Sequence, residues 1–133
     1  MNRDLDLEGR NKALVLEAFD ALFNRRDLEA AERYWSSEYI QHSAALGPGR
    51  DGLFALVRSV HRRYESALAV AEGEYVVVHG RFSGGGRPTK IVVDILRIVD
   101  GRIVEHWDVM QDEVTRPESK SGLPMFGDRF PDA

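Results

Sequence analysis

The stretch Thr89-Lys90-Ile91-Val92-Val93-Asp94-Ile95-Leu96-Arg97-Ile98-Val99-Asp100-Gly101-Arg102-Ile103-Val104-Glu105-His106-Trp107-Asp108 decides the fold. Residues 89–99 are mostly β-branched, with apolar side chains at both parities, the pattern of a strand covered on both faces. Asp100-Gly101 is a strong two-residue hairpin signal, and residues 102–112 read as the returning strand. Working backwards, Gly84-Gly85-Gly86-Arg87-Pro88 is a flexible hairpin loop and Tyr75 to Phe82 is a strand. Glu72-Gly73-Glu74 turns that strand back onto a first one over residues 66–72. The C-terminal half is a meander of about four strands.

Further upstream the period changes. Leu14, Val15, Ala18, Phe19, Leu22 and Phe23 form one helical stripe, broken by Asn24-Arg25-Arg26-Asp27. Asp27 is placed to cap a second helix carrying Leu28, Ala31, Tyr34 and Trp35. Tyr39-Ile40-Gln41-His42 is a short extended stretch or turn, and Gly47-Pro48-Gly49 is a loop. Asp51 is placed to cap a third helix with Leu53, Phe54, Leu56, Val57, Val60 and Tyr64 on its apolar side. Three helices followed by a meander predict an α+β fold, and a strongly curved sheet wrapped over helices leaves a conical cavity suited to a small ligand.

Composition narrows the function. At 133 residues the chain is a single domain over 1–133, with 113–133 as a tail containing Pro117, Pro124 and Pro131. The 18 Lys and Arg against 22 Asp and Glu argue against a nucleic-acid surface. The absence of cysteine removes thiolate nucleophiles, Fe–S clusters and Cys-type zinc sites, and fits a reducing compartment. No apolar run approaches the ~20 residues of a membrane span, and the polar start Met1-Asn2-Arg3-Asp4 is unlike a secretion signal. The expectation is a soluble cytoplasmic protein without membrane or nucleic-acid partners.

Two features carry chemistry. Asp94 stands in the middle of an apolar strand, which is costly unless it is paired with an Arg such as Arg81 or Arg97, or lines a polar cavity. His106 and Asp108 share one strand face and Trp107 points to the other, where core packing is its simplest role. A plain turn pairs Val99 with Arg102 and Asp94 with Trp107, leaving the two aspartates on opposite faces; a one-residue bulge in the returning strand brings them together. His42 reads as either a surface residue or a group at the cavity mouth. His79 reads as structural, and the Arg58, Arg62, Arg63 cluster, with His61, as a solvated helix face. No His-Glu-x-x-His, Gly-x-Ser-x-Gly or P-loop motif occurs, and no metal is expected.

The element order, Tyr39-Ile40-Gln41-His42, the Gly-Pro-Gly loop into Leu53-Phe54, Asp94-Ile95-Leu96-Arg97 and the run Asp100 to Asp108 resemble the SnoaL-like polyketide cyclase family over roughly residues 10–112. The resemblance implies an NTF2-like, cystatin-type cone with three N-terminal helices packed on a strongly curved antiparallel sheet. In those cyclases a single aspartate on the last long strand is the acid/base of an intramolecular aldol closure, without metal or cofactor. Asp108 matches that position. Where the cyclases usually carry a His on the preceding strand, this chain has Asp94. The resemblance also implies the bulged register, with two acids close together and one pKa raised. It points to a cofactor-independent enzyme of the aldol, isomerase or lyase kind on a small hydrophobic carbonyl compound. Asp108, Asp94, His42 and His106 are then the catalytic candidates. Tyr39, Gln41, Trp35, Phe54, Val57, Trp107 and Met110 are the substrate-binding ones, with Gln41 a further hydrogen-bond donor. The alternative is a non-catalytic ligand-binding or dimerisation module of the same fold. Val and Ile on the open sheet face suggest a homodimer, and the tail is expected to cap the pocket, reach a partner through Met125 and Phe126, or remain loosely ordered.

Overall fold

The structure, a computed structural model, describes residues 3–131. Helix α1 spans Leu5–Phe19, capped by Asp4, whose side chain accepts from Leu7 N at 2.9 Å. A π turn, Asp20–Asn24, continues it and presents Ala21 and Leu22 to the core. The chain breaks where Arg26 takes φ 55°, and the Asn24 side chain ties this corner to the backbone N and O of Tyr64 at 2.8 and 3.0 Å. Asp27 then caps helix α2, Leu28–Tyr34, by accepting from Ala30 N. Trp35 is not on that helix as expected: it opens strand β1, Trp35–Gln41, so the Tyr39–Gln41 segment is part of the sheet.

Helix α3 runs Gly49–Ser59, with Pro48 at its N-cap position and no side-chain cap; Asp51 lies inside the first turn instead. The Gly47–Gly52 loop closes on itself so tightly that a side chain at Gly52 would meet Gly47 O at 2.2 Å. The helix stops before His61, and Tyr64 belongs to β2, Arg63–Glu72. Strands β3, Tyr75–Ser83, β4, Lys90–Val99, and β5, Arg102–Asp112, complete five strands in the order β1-β5-β4-β3-β2. The fold is the α+β NTF2-like cone that the resemblance implies, with one correction: β1 pairs with β5 in parallel, so the sheet is mixed. Val15, Ala18, Phe19, Leu22, Trp35, Val76, Val78, Leu96 and Ile103 fill the space between helices and the inner sheet face.

The β4–β5 turn positions the site. Asp100 at φ 50° and Gly101 at φ 74° make the tight hairpin that the dipeptide predicts. Val99 pairs with Arg102 and Ile98 with Ile103, but Arg97 pairs with Glu105. Val104 is the extra residue of a bulge, and beyond it the register brings Asp94 directly opposite Asp108. The bulged alternative is the one that folds.

Over its described residues, 113–131, the tail neither covers the cavity nor dangles. It folds back over the outer face of its own sheet. Arg81 donates from Nε to Glu113 at 2.8 Å in a fully buried ion pair and from Nη2 to Arg129 O at 3.1 Å. The buried Phe126 ring lies 4.4 Å from the Arg81 guanidinium and 5.7 Å from the His79 ring. Among the described residues no helix is long and apolar enough to cross a membrane.

Candidate active site

Between α1, α3 and the inner sheet face lies an open cavity of about 460 Å³, walled largely by Phe19, Trp35, Leu53, Val57, Leu96 and Met110. Strand parity sets what faces it. On β4 and β5 the even-numbered residues past the bulge point inward, so Asp94, His106 and Asp108 all line the hollow. Their ligating atoms lie within 4.8 Å of one another.

His106 is held at both nitrogens. Nε2 is 2.7 Å from Asp94 Oδ1 and Nδ1 is 2.7 Å from Gln41 Oε1. The same Gln41 oxygen accepts from the backbone N–H of Ser43 at 3.0 Å, and Gln41 Nε2 donates to the Tyr39 hydroxyl at 2.9 Å. An oxygen that already faces a fixed N–H donor is an acceptor, so the hydrogen on the Gln41–His106 bond belongs to Nδ1. The proton between Nε2 and Asp94 is therefore a single shared one. Two observations place it on Asp94. The carboxyl is only 3% exposed, and its second oxygen, Oδ2, is buried without a hydrogen-bond partner among the described residues. An ionised carboxylate would leave charge on that oxygen unmatched. Burial pushes the Asp94 carboxyl up from the usual carboxylate range; the hydrogen bond and charge of His106 pull against it, and the Asp108 charge adds to the rise. Burial likewise raises the Tyr39 hydroxyl, keeping it a neutral phenol. Asp108 is half-buried and bonds no side chain among the described residues, so its oxygens face the cavity. Asp94, His106 and Asp108 also form the one three-residue set among the described residues able to hold a cation through one nitrogen and two oxygens. The direct Asp94–His106 bond occupies two of those donors.

The remaining expected residues divide between wall and exterior. Trp35, Tyr39, Val57 and Met110 line the cavity. Gln41 stands behind His106 as its anchor, and Phe54 is core, packed edge-on to Trp35 at 6.3 Å, rather than cavity wall. His42 and Trp107 do not face the cavity. Ile40 pairs with Glu105, which puts residues 40, 42, 105 and 107 on the outer face. There the His42 ring stacks on Trp107 at 4.8 Å and its Nε2 lies 2.7 Å from Glu105. Trp107 is half-buried in that stack and is not core. Arg81 and Arg97, proposed partners of Asp94, instead pair with Glu113 and Glu105. Hydrogen bonds from His42 and Arg97 hold the Glu105 carboxyl below the usual carboxylate range. Arg62 is not part of a solvated helix face: it follows the helix and lines the cavity with Arg87 and Lys90, none of which the sequence reading placed at the site.

Comparison with known proteins agrees with this architecture. No curated protein matches the chain. Among solved structures, AclR from Streptomyces galilaeus, a proposed hydroxylase, is 26% identical with a TM-score of 0.65, covering 79% of this chain and 81% of that one. A proposed ketosteroid isomerase from Kribbella flavida is 18% identical, with a TM-score of 0.73 over 93% of this chain and 97% of its own. A proposed polyketide cyclase from Acidithiobacillus ferrooxidans is 15% identical, with a TM-score of 0.65 over 77% and 88%. The last two likenesses carry the fold alone, and three different labels on one backbone show that the fold does not choose the chemistry. The model of the SnoaL-like domain matches residues 15–106, from the first apolar stripe to the histidine that Gln41 anchors, and the chain belongs to that family.

Proposed function

We propose that the protein is a cofactor-independent acid/base enzyme that removes a proton next to the carbonyl of a small hydrophobic compound, in an aldol, isomerase or lyase reaction. The observation that supports it is the division of labour at the cavity: a free carboxylate side chain, Asp108, beside an acid, Asp94, that shares one proton with His106. Asp108 takes the α-proton as general base. The Asp94–His106 pair, whose hydrogens go to each other and to Gln41, carries no net charge and so sets no second negative charge beside the enolate. The apolar walls hold the substrate and exclude water. An open cavity and an unbonded Asp108 favour catalysis over a purely binding module. The cysteine-free composition suits a reducing cytoplasm.

A homodimer through the outer sheet face completes the proposal. Leu68, Val70, Tyr75 and Val109 leave between 46 and 71% of their surface exposed there, an apolar patch of the sort that marks a contact.

The test is isotope exchange. Wild-type protein in D2O, incubated with a panel of apolar 1,3-diketones and β,γ-unsaturated ketones, should accelerate loss of the α-C–H signal by NMR for at least one compound. Exchange at the buffer rate across the panel contradicts the proposal.

A further inference from the structure

The cavity has polar groups in two places. One is the aspartate and histidine cluster. The other is the open side, where Arg62, Arg87 and Lys90 line the wall. These lip cations are poorly balanced. Lys90 contacts Asp112, but no carboxylate among the described residues pairs with Arg62 or Arg87. Arg62 spends Nη2 on two backbone carbonyls, Phe82 O at 3.0 Å and Pro88 O at 2.7 Å, and its Nε is buried with no partner among the described residues. Burial, and then the charge of Arg87 nearby, lower the Arg62 guanidinium below its ordinary pKa. Two like charges held together at the rim of an apolar hollow are unfavourable until an anion joins them, and Arg62 Nη1 together with the exposed Arg87 guanidinium is left to donate to a carboxylate.

We propose that the ligand of this cavity is an amphipathic carbonyl compound bearing a carboxylate, which Arg62 and Arg87 hold at the lip while its apolar body lies along the wall and its ketone end reaches Asp108. This rests on the site assignment above and adds the substrate class. The strand sets the length. Arg62 binds Phe82 O, Phe82 pairs with Lys90, and Asp94 pairs with Asp108, so Lys90 and Asp94, four residues apart on β4, mark the two polar ends about 13 Å apart at 3.3 Å per residue, the span of a chain or fused-ring body between carboxylate and reacting carbon. Asp108 then works on the far end from the charge it would repel.

The test uses N-phenyl-1-naphthylamine, a neutral apolar fluorophore, as reporter, displaced by decanoate, decanol or decyltrimethylammonium below their micelle concentrations. Decanoate should compete about tenfold better than decanol, and the ammonium compound worst. Arg87 is exposed and bonds no side chain among the described residues, so its replacement leaves the fold intact. Arg87→Gln should shrink the decanoate advantage about threefold and Arg87→Glu should abolish it, with the affinity for the fluorophore unchanged. About 1 M NaCl, where the screening length falls to ~3 Å, should also shrink it. Decanoate no better than decanol, or an advantage that Arg87→Glu leaves intact, overturns the proposal. A fluorophore that does not bind at all fails the cavity reading itself, a separate outcome.

Discussion

Asp94 and Asp108 stand directly opposite one another on β4 and β5, yet they meet different surroundings: Asp94 is buried against His106, while Asp108 opens onto the cavity. Two carboxyl groups in cross-strand contact cannot both ionise cheaply, and the asymmetry of their neighbours decides which keeps the proton.

The Ser43–Gln41–His106 chain fixes the imidazole tautomer. Nitrogen NMR of the neutral ring should find the hydrogen on Nδ1 and a bare Nε2. Gln41→Leu removes the acceptor of Nδ1–H, and the tautomer preference should be lost, with about a tenfold fall in exchange rate. A hydrogen on Nε2 in the neutral wild-type ring would refute this chain of bonds.

Stability should depend on the Asp94 proton. Its folded pKa is raised, so the folded state binds a proton that the unfolded chain gives up near pH 3.9. The contribution is fully present below that value and is lost as pH rises through the raised folded pKa. Asp94→Asn keeps a donor toward His106 Nε2 without titrating. Its melting temperature should therefore fall less than that of the wild type between about pH 5 and 8. Parallel melting curves over that range would show that Asp94 does not carry the proton.

The Arg81–Glu113 pair anchors the tail far from the chemistry. Glu113→Gln leaves a buried guanidinium without its counter-charge and should cost about 3 kcal/mol in urea unfolding. Exchange activity of the folded fraction should be unchanged, since no described tail residue lines the cavity. A loss below about 1 kcal/mol would mean that the tail adds little to the sheet.

The exposed outer face should pair two copies. Light scattering at micromolar concentration should give twice the chain mass, and Val109→Lys, at a position 71% exposed, should return monomers with the fold intact. A wild-type monomer removes the dimer.

Much of this was legible in the chain because it is local. The helical stripe through Phe19 and Leu22, the Asp27 cap and the Asp100-Gly101 hairpin each depend on a few neighbours, and each folds as read. The bulge at Val104 carries no glycine or other turn signal of its own, so counting along the strands left two registers open, and only the family resemblance pointed to the bulged one. Strand β1 was harder, because its pairing with β5 joins residues more than sixty positions apart and no period reports that. The same register explains His42 and Trp107: once Ile40 opposes Glu105, both rings turn outward and stack on each other. Of the site, Asp94, His106 and Asp108 were visible as polar residues in apolar strands. Arg62 was not, since its position beside Arg58 and Arg63 looks like an exposed helix face until the helix is seen to stop at Ser59.

The most direct test of the account is α-hydrogen exchange by Asp108→Asn, measured beside the wild type on whichever ketone the wild type exchanges fastest. Loss of the base should slow exchange by about 10²–10⁴-fold while displacement of the apolar fluorophore and the melting temperature stay near their wild-type values. Exchange at the wild-type rate in the variant would contradict the assignment of Asp108 as the base.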